Sequence, residues 1–354
     1  MMTPLPERGL LAEPTDDCRC PSTADRKRFN MKNIACKNCA GTMYIDASGM
    51  TAVCPYCGSK YVLDHEDTDY YNGFYRQMAR FLGGSSDARE RQLHADRLWK
   101  NADSAVFTCA DGRTIEARHL YNGTFDGGAF FVARKNIIYH FTQENAPQPE
   151  LFRKSTSYLD YPSADTRQLS QFFPRITSGF ALADGTSLLV LSKDTEEYPL
   201  SLFGTLGGRH VAWIISRMEN LCCVLDYNSL VHPAIDAENL YINPFTHQAA
   251  LYGGWWRVVK NNTYSPADGH TFTTKENLTG LRNTAARLLG YPNAGAVKVT
   301  KDVPKALADF INSVPESNAY DDFAYWDDML IKAYGERKFT TFSTDEEQIY
   351  GGKA

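Results

Sequence analysis

Two C-x-x-C pairs, Cys36-Lys-Asn-Cys39 and Cys54-Pro-Tyr-Cys57-Gly58, stand fourteen residues apart near the start of the chain. No other feature restricts local folding so tightly. Two such knuckles bring four thiolates together, which closes a tetrahedron around a zinc ion. Gly58 lets the second knuckle turn where a Cβ would clash. Between the knuckles, Thr42-Met-Tyr-Ile-Asp and Met50-Thr-Ala-Val read as two strands joined at Ser48-Gly49, the hairpin of a zinc ribbon. Four protein ligands leave the metal no position for water, so Cys36, Cys39, Cys54 and Cys57 are expected as structural rather than catalytic ligands. A unit of about thirty residues cannot bury enough apolar surface alone, and ligation replaces the missing core. A redox role is disfavoured because redox C-x-x-C motifs come singly at a helix start, and a rubredoxin-like iron site is disfavoured alongside it. Lys32, Lys37 and Lys60 are offset by Asp64, Glu66 and Asp67, which favours a protein contact or spacer role over nucleic acid.

The remaining cysteines are Cys18, Cys20, Cys109 and the adjacent Cys222-Cys223, making nine in all. An odd count with no secretion signal in view argues against a disulfide framework and for a reducing, cytoplasmic setting. No run of eighteen apolar residues occurs, so no membrane span is expected. The net charge of −5 excludes a global basic field for nucleic acid. At 354 residues the chain is long enough for more than one domain.

Residues 1–30 carry Pro, Asp and Arg without apolar periodicity and read as a disordered tail or an upstream extension, with Met31 as an alternative start. The ribbon spans 34–64. Residues 66–100 read as a helical connector: Tyr71, Phe74, Tyr75, Met78 and Phe81 share one face, Gly83-Gly84-Ser85-Ser86 breaks the pattern, and a second helix runs from Asp87 to Trp99. Short strands follow at Thr114 to Leu120, Ala129 to Arg134 and Ile137 to Phe141, with turns at Asn122-Gly123 and Asp126-Gly127-Gly128. Ser187 to Ser192 reads as a buried strand. Beyond residue 208 the pattern is helical, clearest at Val211 to Asp226 and Leu278 to Leu289. The large region is therefore α+β, strands first and helices second.

Within it, Val231-His-Pro-Ala-Ile-Asp-Ala-Glu-Asn-Leu240 resembles the catalytic loop of protein kinases, H-R-D-L-x-x-x-N. His232 falls on the motif histidine and Asn239 on the metal-binding asparagine. Trp213 to Leu230 is similar to the helix that leads into that loop, Leu240-Tyr-Ile-Asn to the strand after it, and Ala249-Ala-Leu251 to the strand before D-F-G. Leu278 to Gly290 resembles the central helix of the kinase C-lobe. The resemblance implies a two-lobed kinase-like domain over 105–340, with a strand-rich N-lobe near 105–200, a helical C-lobe near 208–340 and a tail at 341–354.

The departures from that motif point to a pseudokinase. The base aspartate falls on Ala234, which accepts no proton. The magnesium-binding aspartate falls on Tyr252, and a phenol is a poor replacement for a carboxylate. Gly123-Thr-Phe-Asp-Gly127-Gly128 is not G-x-G-x-x-G. His140 or Tyr139 occupies the strand position of the ATP lysine, with Lys135 a few residues early. Bound ATP and magnesium are accordingly not expected, no catalytic residue is assigned, and the expected role is a binding or scaffold protein with a protein partner.

Two other readings stay open. One keeps an atypical kinase or magnesium-nucleotide sensor, with Asp236, Glu238 and Asn239 around the metal. The other makes the ribbon lead a nucleic-acid accessory protein through Lys32 and Lys37. Trp255-Trp256 reads either as a cap on the empty nucleotide cleft, a partner surface or core packing. His247 reads as a solvated loop residue. Tyr320 to Ile331 has the aromatic and acidic faces of a late amphipathic helix.

Overall fold

The structure, a computed structural model, describes residues 44–45, 51–53, 60–62, 86–267, 269–335, 342, 344 and 346–351. The chain divides into two compact units, residues 1–85 and 86–354. In the first unit, β1 (Tyr44–Ile45), β2 (Thr51–Val53) and β3 (Lys60–Val62) form an antiparallel sheet with β2 central. Tyr44 lies opposite Val53 and Ala52 opposite Tyr61. The pairing of β1 with β2 is the hairpin expected between the knuckles, and β3 adds a strand that the pattern did not suggest. Cys36, Cys39, Cys54 and Cys57 lie outside the described residues, as do the tail at 1–30 and the helix expected on Tyr71 to Phe81.

The second unit opens with α1 (Ser86–Lys100), so the helix expected at Asp87 to Trp99 belongs with the large region. A hairpin follows, β4 (Asp103–Thr108) and β5 (Thr114–His119). The main sheet has five antiparallel strands: β6 (Tyr121–Phe125), β7 (Gly128–Val132), β8 (Asn136–Phe141), β9 (Arg175–Ala181) and β10 (Ser187–Ser192), in the spatial order β6-β7-β8-β10-β9. Between β8 and β9 lies α2 (Gln148–Thr156), with proline in its first turn and Phe152 buried.

Strand alternation assigns the two faces of this sheet. Ile137, Tyr139 and Phe141 of β8 and Leu189 and Leu191 of β10 join the main core. Ile138 and Leu188 point the other way, into a smaller cluster with Cys109, Ala117 and Leu182. The β4–β5 hairpin covers that outer face, Phe107 meeting Phe131 edge-on at 5.8 Å. Both faces are thus covered, which is why Ser187 to Ser192 reads as an unbroken apolar run rather than an alternating one.

The short strand β11 (Tyr198–Pro199) leads to α3 (Gly208–Tyr227), whose Val211, Ile214, Ile215, Met218, Leu221, Cys222 and Leu225 repeat every three to four residues on the buried face. Next come β12 (Leu230–Val231) and the hairpin β13 (Leu240–Asn243) with β14 (Gln248–Leu251). Asn243 Oδ1 accepts from the amides of Phe245 and Thr246, an Asx turn that closes this hairpin. His247 at its tip has φ 53° and is half-buried against Trp213, with ring centroids 5.1 Å apart, rather than solvated.

Three helices complete the helical half: α4 (Lys275–Leu288), α5 (Lys305–Asn312) and α6 (Ala319–Tyr334). Asn318 caps α6 by accepting from the amides of Tyr320 and Asp321, and Gly335 ends it in the left-handed conformation. Ala319, Asp322, Trp326 and Met329 form its buried face. A last helix, α7 (Glu346–Tyr350), lies within the expected tail and buries Ile349 and Tyr350, the latter 5.8 Å from the Tyr198 ring. Among the described residues no helix is long and apolar enough to cross a membrane.

Candidate functional site

A cleft of about 590 Å³ opens where the inner face of the five-stranded sheet meets the segment from Ala234 to Asn239 and the turn at Gly254 to Arg257. Its volume lies within the range of ordinary small-molecule pockets. The β6–β7 hairpin, β8 and the loop after β12 all contribute to its walls.

The loop after β12 is held by His232, which is fully buried. Its Nε2 lies 3.0 Å from the Gly253 carbonyl and its Nδ1 3.3 Å from the Ala234 amide. A carbonyl only accepts and an amide only donates, so the ring is neutral with its proton on Nε2. Burial agrees, pushing the imidazole down to about 4. Asn277 of α4 clamps the strand before it, accepting from the His232 amide and donating to the Leu230 carbonyl. The loop and the segment after β14 are therefore fastened together through one ring.

That fastening leaves no room for side chains on the glycines. Gly254 has φ 75°, and a Cβ there would sit 2.8 Å from His232 Cε1 and 3.1 Å from Ala234 Cβ. A Cβ on Gly253 would run into Asn239 Oδ1. Ala234 itself lines the cleft and is buried, with a methyl group where the motif has a carboxylate.

Tyr252 takes no part in the cleft. Its buried hydroxyl donates to Glu197 Oε2 at 2.7 Å, and the Asp194 amide donates to the same oxygen at 2.7 Å. Burial pushes the Glu197 carboxyl up, and the Tyr252 and Asp194 donors pull against that. Next to it, Lys193 is buried and gives its three donors to the carbonyls of Arg134, Asp194 and Glu197, each at 2.9 Å. Burial lowers the Lys193 ammonium to about 8. This cluster joins β10 to β11 behind the cleft. Arg134 extends it outward, 2.8 Å from Asp96 of α1 and 3.7 Å from Glu346 of α7.

Of the two candidates at the ATP-lysine position, Tyr139 faces the cleft. His140 points to the outer face and meets Thr186 Oγ1 at 2.9 Å. The Tyr139 ring belongs to a stack whose centroid separations are 5.5 Å to Phe125, 6.2 Å to Phe152 and 5.5 Å to Trp256. Phe125, from the hairpin that aligns with the Gly-rich loop, lies 4.8 Å from Trp256. Burial, with Asp236 nearby, raises the Tyr139 phenol, so it stays neutral. Trp255 is core packing, its indole NH donating to the Leu251 carbonyl at 3.0 Å, whereas Trp256 lines the cleft.

The floor carries Asp236, Glu238 and Asn239. Asp236 Oδ1 accepts from the Asn239 amide at 3.1 Å and from Asn239 Nδ2 at 2.8 Å. Burial and the neighbouring Glu238 charge push the Asp236 carboxyl up to about 6. Glu238 and Asn239 line the cleft directly. At the mouth, Arg257 is ion-paired with Asp126. Among the described residues, no group of three or more His, Cys, Asp or Glu side chains is arranged to hold a metal.

The motif residues singled out in the sequence are therefore brought together at Ala234 and Asn239, with Asp236 beside them, while Tyr252 is turned away. The aromatic stack and the Lys193–Glu197 cluster were not singled out. The period-two alternation of β8 was the available signal for the first, since it places Tyr139 with Ile137 and Phe141.

No family model matches the sequence, and no curated protein matches it. Among solved structures, the chain is similar to the ROP18 kinase domain in complex with AMP-PNP and sucrose, at 14% identity and a TM-score of 0.46, over 73% of this chain and 93% of that one.

Proposed function

We propose that residues 86–351 are a protein-kinase-like domain that transfers no phosphate and serves as a binding module. The observation that carries this reading is the direction of Tyr252: its hydroxyl is engaged with Glu197 behind the cleft, so nothing at that position reaches a metal. Ala234 and Tyr139 remove the base and the ATP cation in the same cleft. Phosphoryl transfer rests on positioning and on neutralising charge with metal and lysine. Arg257, the one cation lining the cleft among the described residues, is already paired with Asp126.

The test is a thermal-shift titration with ATP, with and without magnesium, alongside a phosphotransfer assay. The expected result is no shift and no transfer. A ligand bound at a hundredfold excess over its Kd would add about 2.7 kcal/mol, well within detection. A magnesium-dependent shift would instead support the nucleotide sensor, for which the Asp236 and Glu238 carboxyls, side by side with Asn239, are the favouring observation.

The first unit is proposed as a zinc ribbon that offers a second protein contact. Four thiolates from Cys36, Cys39, Cys54 and Cys57 are a donor set that suits zinc and fills its coordination. Elemental analysis is expected to find one zinc per chain, lost in Cys36→Ser with Cys54→Ser. A cytoplasmic setting fits the free thiols of Cys109, Cys222 and Cys223. Binding of DNA or RNA that weakens with salt and is lost on neutralising Lys32 and Lys37 would favour the nucleic-acid reading instead.

A further inference from the structure

Oxygens without a hydrogen-bond partner gather on one side of the cleft, while the wall opposite holds, among the described residues, a single open donor, the buried Trp256 Nε1. Asn239 Nδ2 faces the Asp236 carboxylate, which only accepts when ionised, so the amide oxygen is the end that faces Gly253. Tyr139 Oη borders the same spot, 3.0 Å from where a Cβ on Gly253 would lie. Tyr139 is 4% exposed, and its hydroxyl has no hydrogen-bond partner among the described residues, nor has Asn239 Oδ1. The ring is buried but the hydroxyl opens to the cleft, where a ligand can meet it. Glu238 adds a carboxylate to the same cleft. Asn239 Oδ1 and Tyr139 Oη thus lie close together beside Gly253, and the Glu238 carboxylate lines the same cleft.

The walls around those oxygens are aromatic: Phe125, Phe130 and Trp256, with the Tyr139 ring itself. Aromatic faces attract a cation and bury an apolar body, and they offer nothing to phosphate. The charge balance agrees, since Arg257 and Asp126 neutralise each other and Glu238 is left over.

From these features we infer that the cleft binds a protonated organic amine, its ammonium group held by Asn239 Oδ1, Tyr139 Oη and the Glu238 carboxylate and its apolar body packed on Phe125, Phe130 and Trp256. An ammonium supplies donors to those oxygens together with a positive charge beside the Glu238 carboxylate. The inference rests on the reading of the cleft as one that does not hold nucleotide phosphate, and it names what the cleft takes in its place.

The experiment uses the full chain and a matched pair of probes, phenethylamine and the uncharged phenethyl alcohol, followed by calorimetry and thermal shift, with magnesium-ATP as a parallel arm. Phenethylamine is expected to bind at least about tenfold tighter than the alcohol, the difference being the charge-assisted contacts. Glu238→Gln and Tyr139→Phe keep shape and ring, and each is expected to erase most of that preference. Glu238 is exposed, so its variant tests the site without straining the fold. Equal affinity for amine and alcohol, a preference that survives both variants, or no amine binding at all overturns the inference. In each of those outcomes, silence of the magnesium-ATP arm leaves the non-phosphorylating reading standing. A response in that arm overturns the reading itself.

Discussion

Two groups of buried charge behave in opposite ways. In the helical half, Arg282 and Asp322 are 1% and 0% exposed and meet as a bidentate pair, both N–H···O distances being 2.8 Å. The Glu316 amide donates to the same carboxylate at 2.8 Å, and the Arg282 guanidinium lies 4.2 Å over the Phe310 ring. On the cleft floor, Asp236 has Glu238 as its neighbour, like charge against like, and nearby acceptors are left open. The first arrangement pairs opposite charges and joins α4 to α6, with the buried Glu219 carboxyl beside it. The second is open and faces a cavity. Charge that is completed inside the fold holds the fold, and charge that is left incomplete beside a cavity marks where a ligand completes it.

Breaking the closed pair is the most damaging way to test the contrast. Asp322→Ala takes the bidentate partner from a buried guanidinium, leaving it only the nearby Glu219 carboxyl, and is expected to cost about 3–5 kcal/mol, read as a fall in the urea midpoint at unchanged slope. A loss below about 1 kcal/mol would mean that the two groups are not the structural pair their geometry describes.

The open floor is expected to respond in the other direction. The Asp236 carboxyl sits at about 6 in the fold against 3.8 as its ordinary value. Between those pH values the folded chain holds a proton that the unfolded chain has released, so stability falls as pH rises. Above about 6 the full cost persists. Asp236→Asn keeps an oxygen for the two Asn239 donors and removes the charge beside Glu238. It is expected to gain on the order of 2 kcal/mol at pH 7.5 and almost nothing near pH 4. A gain independent of pH would mean that burial and the Glu238 charge do not raise this carboxyl.

The same contrast governs how far the sequence could be read. The segments β10, α3, α4 and α6 were legible because each carries an apolar run or a clean periodicity set by a single buried face. The loop at His232 to Asn239 was legible as a motif, and the structure adds why it is rigid: one neutral imidazole bridges the Ala234 amide and the Gly253 carbonyl. Helix α2 was not legible, since only Phe152 and Ser155 are buried in its nine residues. Nor was α7, a five-residue helix amid acidic neighbours. The direction of Tyr252 was hidden for a different reason. Its substitution was visible, but its partner Glu197 lies 55 positions away, and only the tertiary fold brings the two together.

That pairing supports the smallest of the three effects and connects the two groups. Glu197 is buried behind the cleft yet satisfied, with Tyr252 and Asp194 as donors and Lys193 as a neighbouring charge. Tyr252→Phe removes one donor and leaves the others, so the expected loss is about 1–2 kcal/mol, below that of Asp322→Ala. The Tyr252 hydrogen bond holds the Glu197 carboxyl below where burial alone would place it. Without it the folded-state pKa rises further, so the deficit is present when the carboxyl is ionised and shrinks as pH falls and the group protonates. Urea unfolding at pH 7.5 and pH 5 reads that difference directly. A deficit that grows toward acid would mean that the Tyr252 hydroxyl serves some partner other than Glu197, and the argument that it is turned away from the cleft would lose its support.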